Sequence, residues 1–176
     1  MMAMRMFSAV LMVMFLWGCA TMNTSCTKVE TIKEIGRDGR FMAYDDGTVL
    51  DTKTNLMWAA VDNGKDITWK EAKLYCENYQ AGGYTDWRLP TLDELEGLYD
   101  EQKDRPAKCT NSSNIHLATA LIDVSCLFVW ASETSFTTNE SGIFDFDPGI
   151  RSGFARSWHQ LTRVLPVRSF PWYSFY

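Results

Sequence analysis

The sequence has no Cys-x-x-Cys pair, and it holds only two histidines and five cysteines in all. That argues against a zinc ribbon and a thioredoxin-like site, and it leaves little for a His-rich metal centre. There is no G-x-x-x-x-G-K-[ST] and no G-x-G-x-x-G, so nothing announces a nucleotide phosphate. No G-x-S-x-G frames a nucleophilic serine. Positive charge is in the minority: 17 Lys and Arg face 22 Asp and Glu, for a formal net charge of −5. A general nucleic-acid binder needs a basic surface to neutralise phosphates, so that class is not expected. What the chain has is apolar and aromatic mass. It is 46% hydrophobic, with seven Trp, seven Tyr and ten Phe in 176 residues. Such a composition builds a core rather than a disordered coil, and the length suits one domain plus a leader.

Arg5 is the only charge before Lys28. The apolar stretch after it, Met6 to Trp17, is too short to span a bilayer but fits the apolar region of a signal peptide. It ends Leu16-Trp17-Gly18-Cys19, which resembles a bacterial lipobox, although Trp17 departs from the small residue usual there. The resemblance implies a signal peptide over 1–18 and acylation of Cys19 as the new N-terminus. Ala20 stands where an Asp would retain the protein at the inner membrane, so the resemblance implies the outer membrane. Two or more acyl chains give stable anchoring. Residues 19–40 read as the lipidated N-terminus and a polar tether.

Export agrees with the cysteines. Cys26, Cys76, Cys109 and Cys126 remain after Cys19, and four cysteines allow three pairings. Cys109 and Cys126 flank a stretch rich in Asn and Ser. A bridge there would stabilise the fold by roughly 3 kcal/mol in the chain-entropy model, and this is the expected pair. Cys76 falls on an apolar helical stripe with Trp69, Ala72 and Tyr79, which makes it a buried thiol rather than a nucleophile.

Asp46-Gly47 between Phe41-Met42-Ala43-Tyr44 and Thr48-Val49-Leu50 predicts a hairpin, and Leu56 to Ala59 a further strand after a turn at Asn55. Thr68-x-x-Glu71 and Thr91-x-x-Glu94 are capping-box patterns, each opening a helix. The first helix is expected to end at Gly82-Gly83. Leu92, Leu95, Leu98 and Tyr99 form the buried face of the second. Leu117 to Ile122 suggests a helical turn. Leu127 to Ser132 and Gly142 to Asp147 read as strands, with a turn at Asp147-Pro148-Gly149. A last strand covers Arg163 to Arg168, with Pro166 marking an edge or a bulge. Strands, two helices and more strands predict an α+β fold.

The most specific stretch is Gly83-Tyr84-Thr85-Asp86-Trp87-Arg88-Leu89-Pro90-Thr91-Leu92-Asp93-Glu94-Leu95. With Asp46 to Asp51, Leu56-Met57-Trp58 and Thr68 to Ala72, it resembles the DUF1566 family, also called the Lcl C-terminal domain, over 41–169. The resemblance implies a C-type-lectin-like domain, with two helices packed on short, mostly antiparallel strands. Residues 170–176 follow as an aromatic tail. Read from the residues alone, Trp87 and Leu89 enter one core while Arg88 points away, toward solvent or a carboxylate, so the motif is scaffold.

The Glu-Pro-Asn, Gln-Pro-Asp and Trp-Asn-Asp triplets of calcium-dependent lectins are missing, and Asp145 with Asp147 offers too few oxygens for Ca²⁺. No metal, cofactor or catalytic residue is expected. In lectin-like folds the long loops of the second half, here 133 to 162, carry recognition. Asp147, Arg151, Arg156 and Trp158 are the candidate ligand-binding residues, since an exposed aromatic stacks on a sugar face while Arg and Asp bond hydroxyls. The expected protein is a lipid-anchored bacterial envelope lipoprotein with a non-catalytic, lectin-like domain, an adhesin among the options. Its partner would be a glycan or an envelope protein. The alternatives are a structural subunit of an envelope complex and, less favoured, an enzyme of the formylglycine-generating type. Oligomeric state is left open.

Overall fold

The computed structural model describes residues 32–135 and 137–170, all within one compact unit, Thr31–Tyr176. Cys19, Cys26, Phe136 and all of the aromatic tail after Phe170 lie outside the described residues. The architecture is α+β: two helices with sheets that are mostly antiparallel.

The first sheet has five strands in the order β1 (Glu34–Asp38), β2 (Phe41–Tyr44), β3 (Thr48–Asp51), β4 (Leu56–Ala59) and β11 (Val167–Ser169). The expected hairpin is β2–β3. Gly47 supplies the positive φ of 81°, and the Asp46 carboxylate accepts from the Thr48 amide and hydroxyl at 3.0 and 2.7 Å. Asn55 takes the left-handed conformation at φ 54°. One strand was not legible. β1 lies inside the stretch read as tether and pairs with β2 through a register shift between Glu34 and Gly36. Its polar residues show no burial period, so pairing rather than patterning holds it.

The second sheet has the order β10 (Thr162–Arg163), β7 (Phe128–Thr134), β8 (Glu140–Asp145) and β9 (Ile150–Ala155). The region expected to be long recognition loops is therefore largely a β8–β9 hairpin, and the turn Asp147-Pro148-Gly149 falls where predicted. Gly149 is needed there: φ is 72°, and a Cβ would lie 2.5 Å from the Tyr99 ring. The predicted last strand is split. β10 runs parallel to β7 and β11 antiparallel to β4. Pro166 between them has no amide to donate, and its carbonyl accepts from Ala59 N at 2.9 Å.

Both capping boxes form. Helix α1 spans Trp69–Glu77 and α2 spans Leu92–Glu96. Helix α1 stops earlier than expected, capped by Asn78, and Gly82-Gly83 belong to a separate 3₁₀ turn, Ala81–Gly83. Leu117 to Ile122 is not helical; Leu117 makes a bridge with Tyr99. Two short strands, β5 (Arg105–Pro106) and β6 (Asn114–Ile115), form a minor sheet. The Cys109–Cys126 disulfide beside them is as expected, with Cα atoms 5.4 Å apart. Cys76 is a free buried thiol.

The second sheet lies between two cores. The larger joins both sheets through Trp58, Leu95, Leu98, Val129, Phe144 and Phe146. The smaller packs α1 on the other face through Ala72, Cys76, Leu89, Trp130 and Ile143. Trp130↔Ile143 and Val129↔Phe144 are register partners. The period of two along these strands sends neighbours to opposite cores.

Candidate functional site

The Gly83–Leu95 motif is locked by its own polar groups. The Arg88 guanidinium donates to both Glu94 oxygens at 2.7 Å. Glu94 also accepts from the Thr91 amide at 2.8 Å, closing its capping box. Burial raises the Glu94 carboxyl, but the bonds from Arg88 and Thr91 outweigh it and hold the group below its usual range. Asp86 accepts from Arg168 at 2.6 and 3.1 Å, and the buried Arg168 guanidinium lies 3.9 Å from the Tyr84 ring. That bond holds the Asp86 carboxyl low. The backbone of Arg88 pairs with Val167 in both directions, at 2.9 and 3.0 Å. Trp87 and Leu89 are buried, as the alternation implied. The motif thus ties β11, α2 and the second core together.

Beside it opens a cleft of about 430 Å³. Helix α1 contributes Trp69, Lys73, Cys76 and Glu77. The motif contributes Trp87, Arg88, Leu89 and Thr91, and β7 contributes Ser132 and Thr134. Both indole N–H groups are engaged, Trp69 with the Ala131 carbonyl at 2.9 Å and Trp87 with Ala81 at 3.3 Å. The rings are therefore fixed walls. Lys73 and Glu77 are more than half exposed and only loosely paired, at 3.9 Å, so both are available to a ligand. Cys76 contributes no nucleophile: burial pushes its thiol up to about 12.

The four residues singled out in the sequence do not meet at one place. Asp147 sits in the β8–β9 turn, where its amide donates to Asp145 Oδ1 at 3.0 Å. Burial raises the Asp145 carboxyl. Arg151, at the start of β9, is held by Asp93 and Glu96 of α2. Arg156 follows β9, so about five residues at roughly 3.3 Å per residue separate it from Arg151. It backs onto one wall of the cleft through Trp69. Its guanidinium lies 5.2 Å from the Trp69 ring and donates to Ser141 Oγ at 3.1 Å and the Ser135 carbonyl at 3.0 Å. Its carbonyl accepts from Trp69 N at 3.2 Å. Trp158 is not core: it is 43% exposed and leans on Phe154 with ring centroids 5.5 Å apart. Arg156 is thus connected to the cleft, while Asp147 and Arg151 are at the far end of β9. Lys73, Ser132 and Thr134 were not singled out. Their only sequence signal was the outward face of an amphipathic helix and the polar end of a strand.

Among the described residues no group of three or more His, Cys, Asp or Glu is placed to hold a metal ion. No described helix is long and apolar enough to cross a membrane.

Fold and site together define a small α+β domain with a mixed polar and aromatic cleft beside an ion-paired structural motif. The model of the Lcl C-terminal domain family matches residues 47–168, and the chain belongs to that family. No curated protein sequence matches it.

Proposed function

We propose that this chain is a non-catalytic ligand-binding lipoprotein of the bacterial envelope, held in the outer membrane through acylated Cys19. Its domain is of C-type-lectin-like architecture, and its ligand is a glycan bound in the cleft between α1, the motif and β7. The observation that carries the reading is the composition of that cleft. Fixed indole walls, the hydroxyls of Thr91, Ser132 and Thr134, and the accessible Lys73 and Glu77 surround about 430 Å³. Apolar walls with a few convergent polar groups are what small-ligand sites are made of, and sugars combine an apolar face with hydroxyls that need such partners. The high thiol pKa of Cys76 supports a binding role over covalent chemistry.

A glycan array with residues 31–176, run with calcium and with chelator, tests this. The expected result is selective binding that survives chelator and is lost in Ser132→Arg. Ser132 is exposed, so the arginine would fill the cleft without entering a core. Absence of binding in either condition, or binding unchanged by Ser132→Arg, would overturn the assignment of the cleft. An envelope protein would then become the partner to seek.

A further inference from the structure

The two large sheets end in four edges among the described residues, and three of them are closed. β1 is bent by its register shift and carries Glu34, Arg37 and Asp38. β10 is two residues long, and both are buried. β11 is covered by the backbone of Arg88. Charges, bulges, short strands and covering segments are the usual ways of guarding an edge against further pairing. β9 is neither bulged nor short. It pairs with β8 in unbroken register over six residues, Ile150 to Ala155, and five of the six are exposed. It contains no proline, and its one charge, Arg151, is turned onto α2, where it pairs with Asp93 and Glu96.

The ladder fixes which groups of β9 are open. Arg156 N donates to the Asn139 carbonyl, and Phe146 N to the Leu127 carbonyl. These bonds set the alternation on both sides of β8, so even-numbered residues of β9 bond inward and odd-numbered ones face outward. Ala155 O is already taken by Trp158 N at 2.8 Å. Arg151 and Gly153 are left as the outward pair.

We propose that β9 is a self-association edge, pairing antiparallel with β9 of a second copy of this chain about a two-fold axis at Ser152. A two-fold normal to the sheet keeps each face on its own side, so only residues of like face can oppose. About Ser152, Arg151 opposes the small Gly153 and the two form the hydrogen-bonded pair. Ile150, 54% exposed, opposes Phe154. A two-fold at Arg151 would set two guanidinium groups against each other, and one at Gly153 would require the occupied Ala155 carbonyl. The charge pattern and the open donors thus select one register. The self-paired β9 joins two four-stranded sheets into one of eight.

Cysteine cross-linking and sedimentation of residues 31–176, the compact unit that contains both cores and the disulfide, test this. Ser152 opposes its own copy at a non-hydrogen-bonded position, where Cα atoms are about 4.5 Å apart, inside disulfide reach. Mild oxidation should convert most of Ser152→Cys to a covalent dimer. Ile150→Cys should give little, since the two copies would be about 13 Å apart at roughly 3.3 Å per residue. The unmodified unit should sediment at twice its mass at high micromolar concentration, and Ile150→Lys, at a site too exposed to disturb the fold, should sediment as the monomer. A monomer at every concentration, or cross-linking equal in the two cysteine variants, would overturn the proposal.

Discussion

Helices α1 and α2 open with the same local code and do different work. Each begins with threonine and places glutamate three residues on. In each the glutamate reaches back to the threonine amide, at 3.0 Å for Thr68 and 2.8 Å for Thr91. There the likeness ends. Glu71 has only its own cap to hold, where Thr68 Oγ1 donates to it at 2.6 Å. Glu94 holds its cap and both arms of Arg88. Helix α2 has five residues yet seats Leu95 in the larger core, touches β8 at Gly142, and receives Arg40 at the Gly97 carbonyl. Helix α1 has nine, fully buries only Ala72 and Cys76, leans Trp69 and Tyr75 on the smaller core, and turns the rest to the cleft and solvent. A capping box therefore says where a helix starts and nothing about whether the fold rests on it.

The sharpest contrast is between two leucines. Leu95 is fully buried, while Leu74 of α1 is 49% exposed. Leu95→Ala should cost about 2–5 kcal/mol, because transfer and cavity terms add in a packed site. Leu74→Ala should stay within about 0.5 kcal/mol. Urea unfolding of both variants measures the difference. Equal losses would mean that α1 is as much a keystone as α2, and the comparison would fail.

A smaller effect separates the two glutamates. Glu71→Gln should cost about 1 kcal/mol or less, the usual worth of a cap. Glu94→Gln should cost about 1–3 kcal/mol, because Arg88 loses its charged partner as well. The pH dependence carries the sign. The folded Glu94 carboxyl is held below its ordinary value, so its contribution is complete above the unfolded carboxyl range and is lost as pH falls through the folded value. The gap between wild type and Glu94→Gln should therefore close on acidification below about pH 4. A gap that widened in acid would show that Glu94 is protonated in the native state.

Much of this was legible, and the reason is local. The Asp46-Gly47 hairpin, the left-handed Asn55, both caps and the Asp147-Pro148-Gly149 turn are each set by a few adjacent residues, and the Asn- and Ser-rich loop between Cys109 and Cys126 marked the bridge. The motif's scaffold role followed from Trp87 and Leu89 alternating around Arg88. What failed was non-local. β1 is a strand only because β2 lies beside it, and β9, with Gly153 and Ser152 and only Ile150 and Phe154 as large apolar residues, has too little pattern to distinguish from loop. The cleft joins α1 to β7 across about 60 residues, through the Trp69 to Ala131 bond. No spacing rule brings Lys73 and Ser132 together, whereas Asp147 and Trp158, close in sequence, are kept apart by the strand between them.

The smallest effect lies on the cleft side and involves no loss of stability. Cys76 belongs to α1, lines the cleft and is only 1% exposed, with burial pushing its thiol up to about 12. Burial thus lowers the thiolate population well below that of an exposed cysteine. Because thiolate is the reacting form and the native thiol is buried, alkylation of native protein at pH 8 should be much slower than in the urea-unfolded chain. The rate in rising urea then reports which helix lets go first. If α1 opens alone, Cys76 reacts at urea concentrations where the larger core is intact, and Leu95→Ala leaves the rate at low urea unchanged. If labelling instead tracks global unfolding and accelerates with Leu95→Ala, the two helices are one cooperative unit. The cleft wall would then be as rigid as the motif beside it.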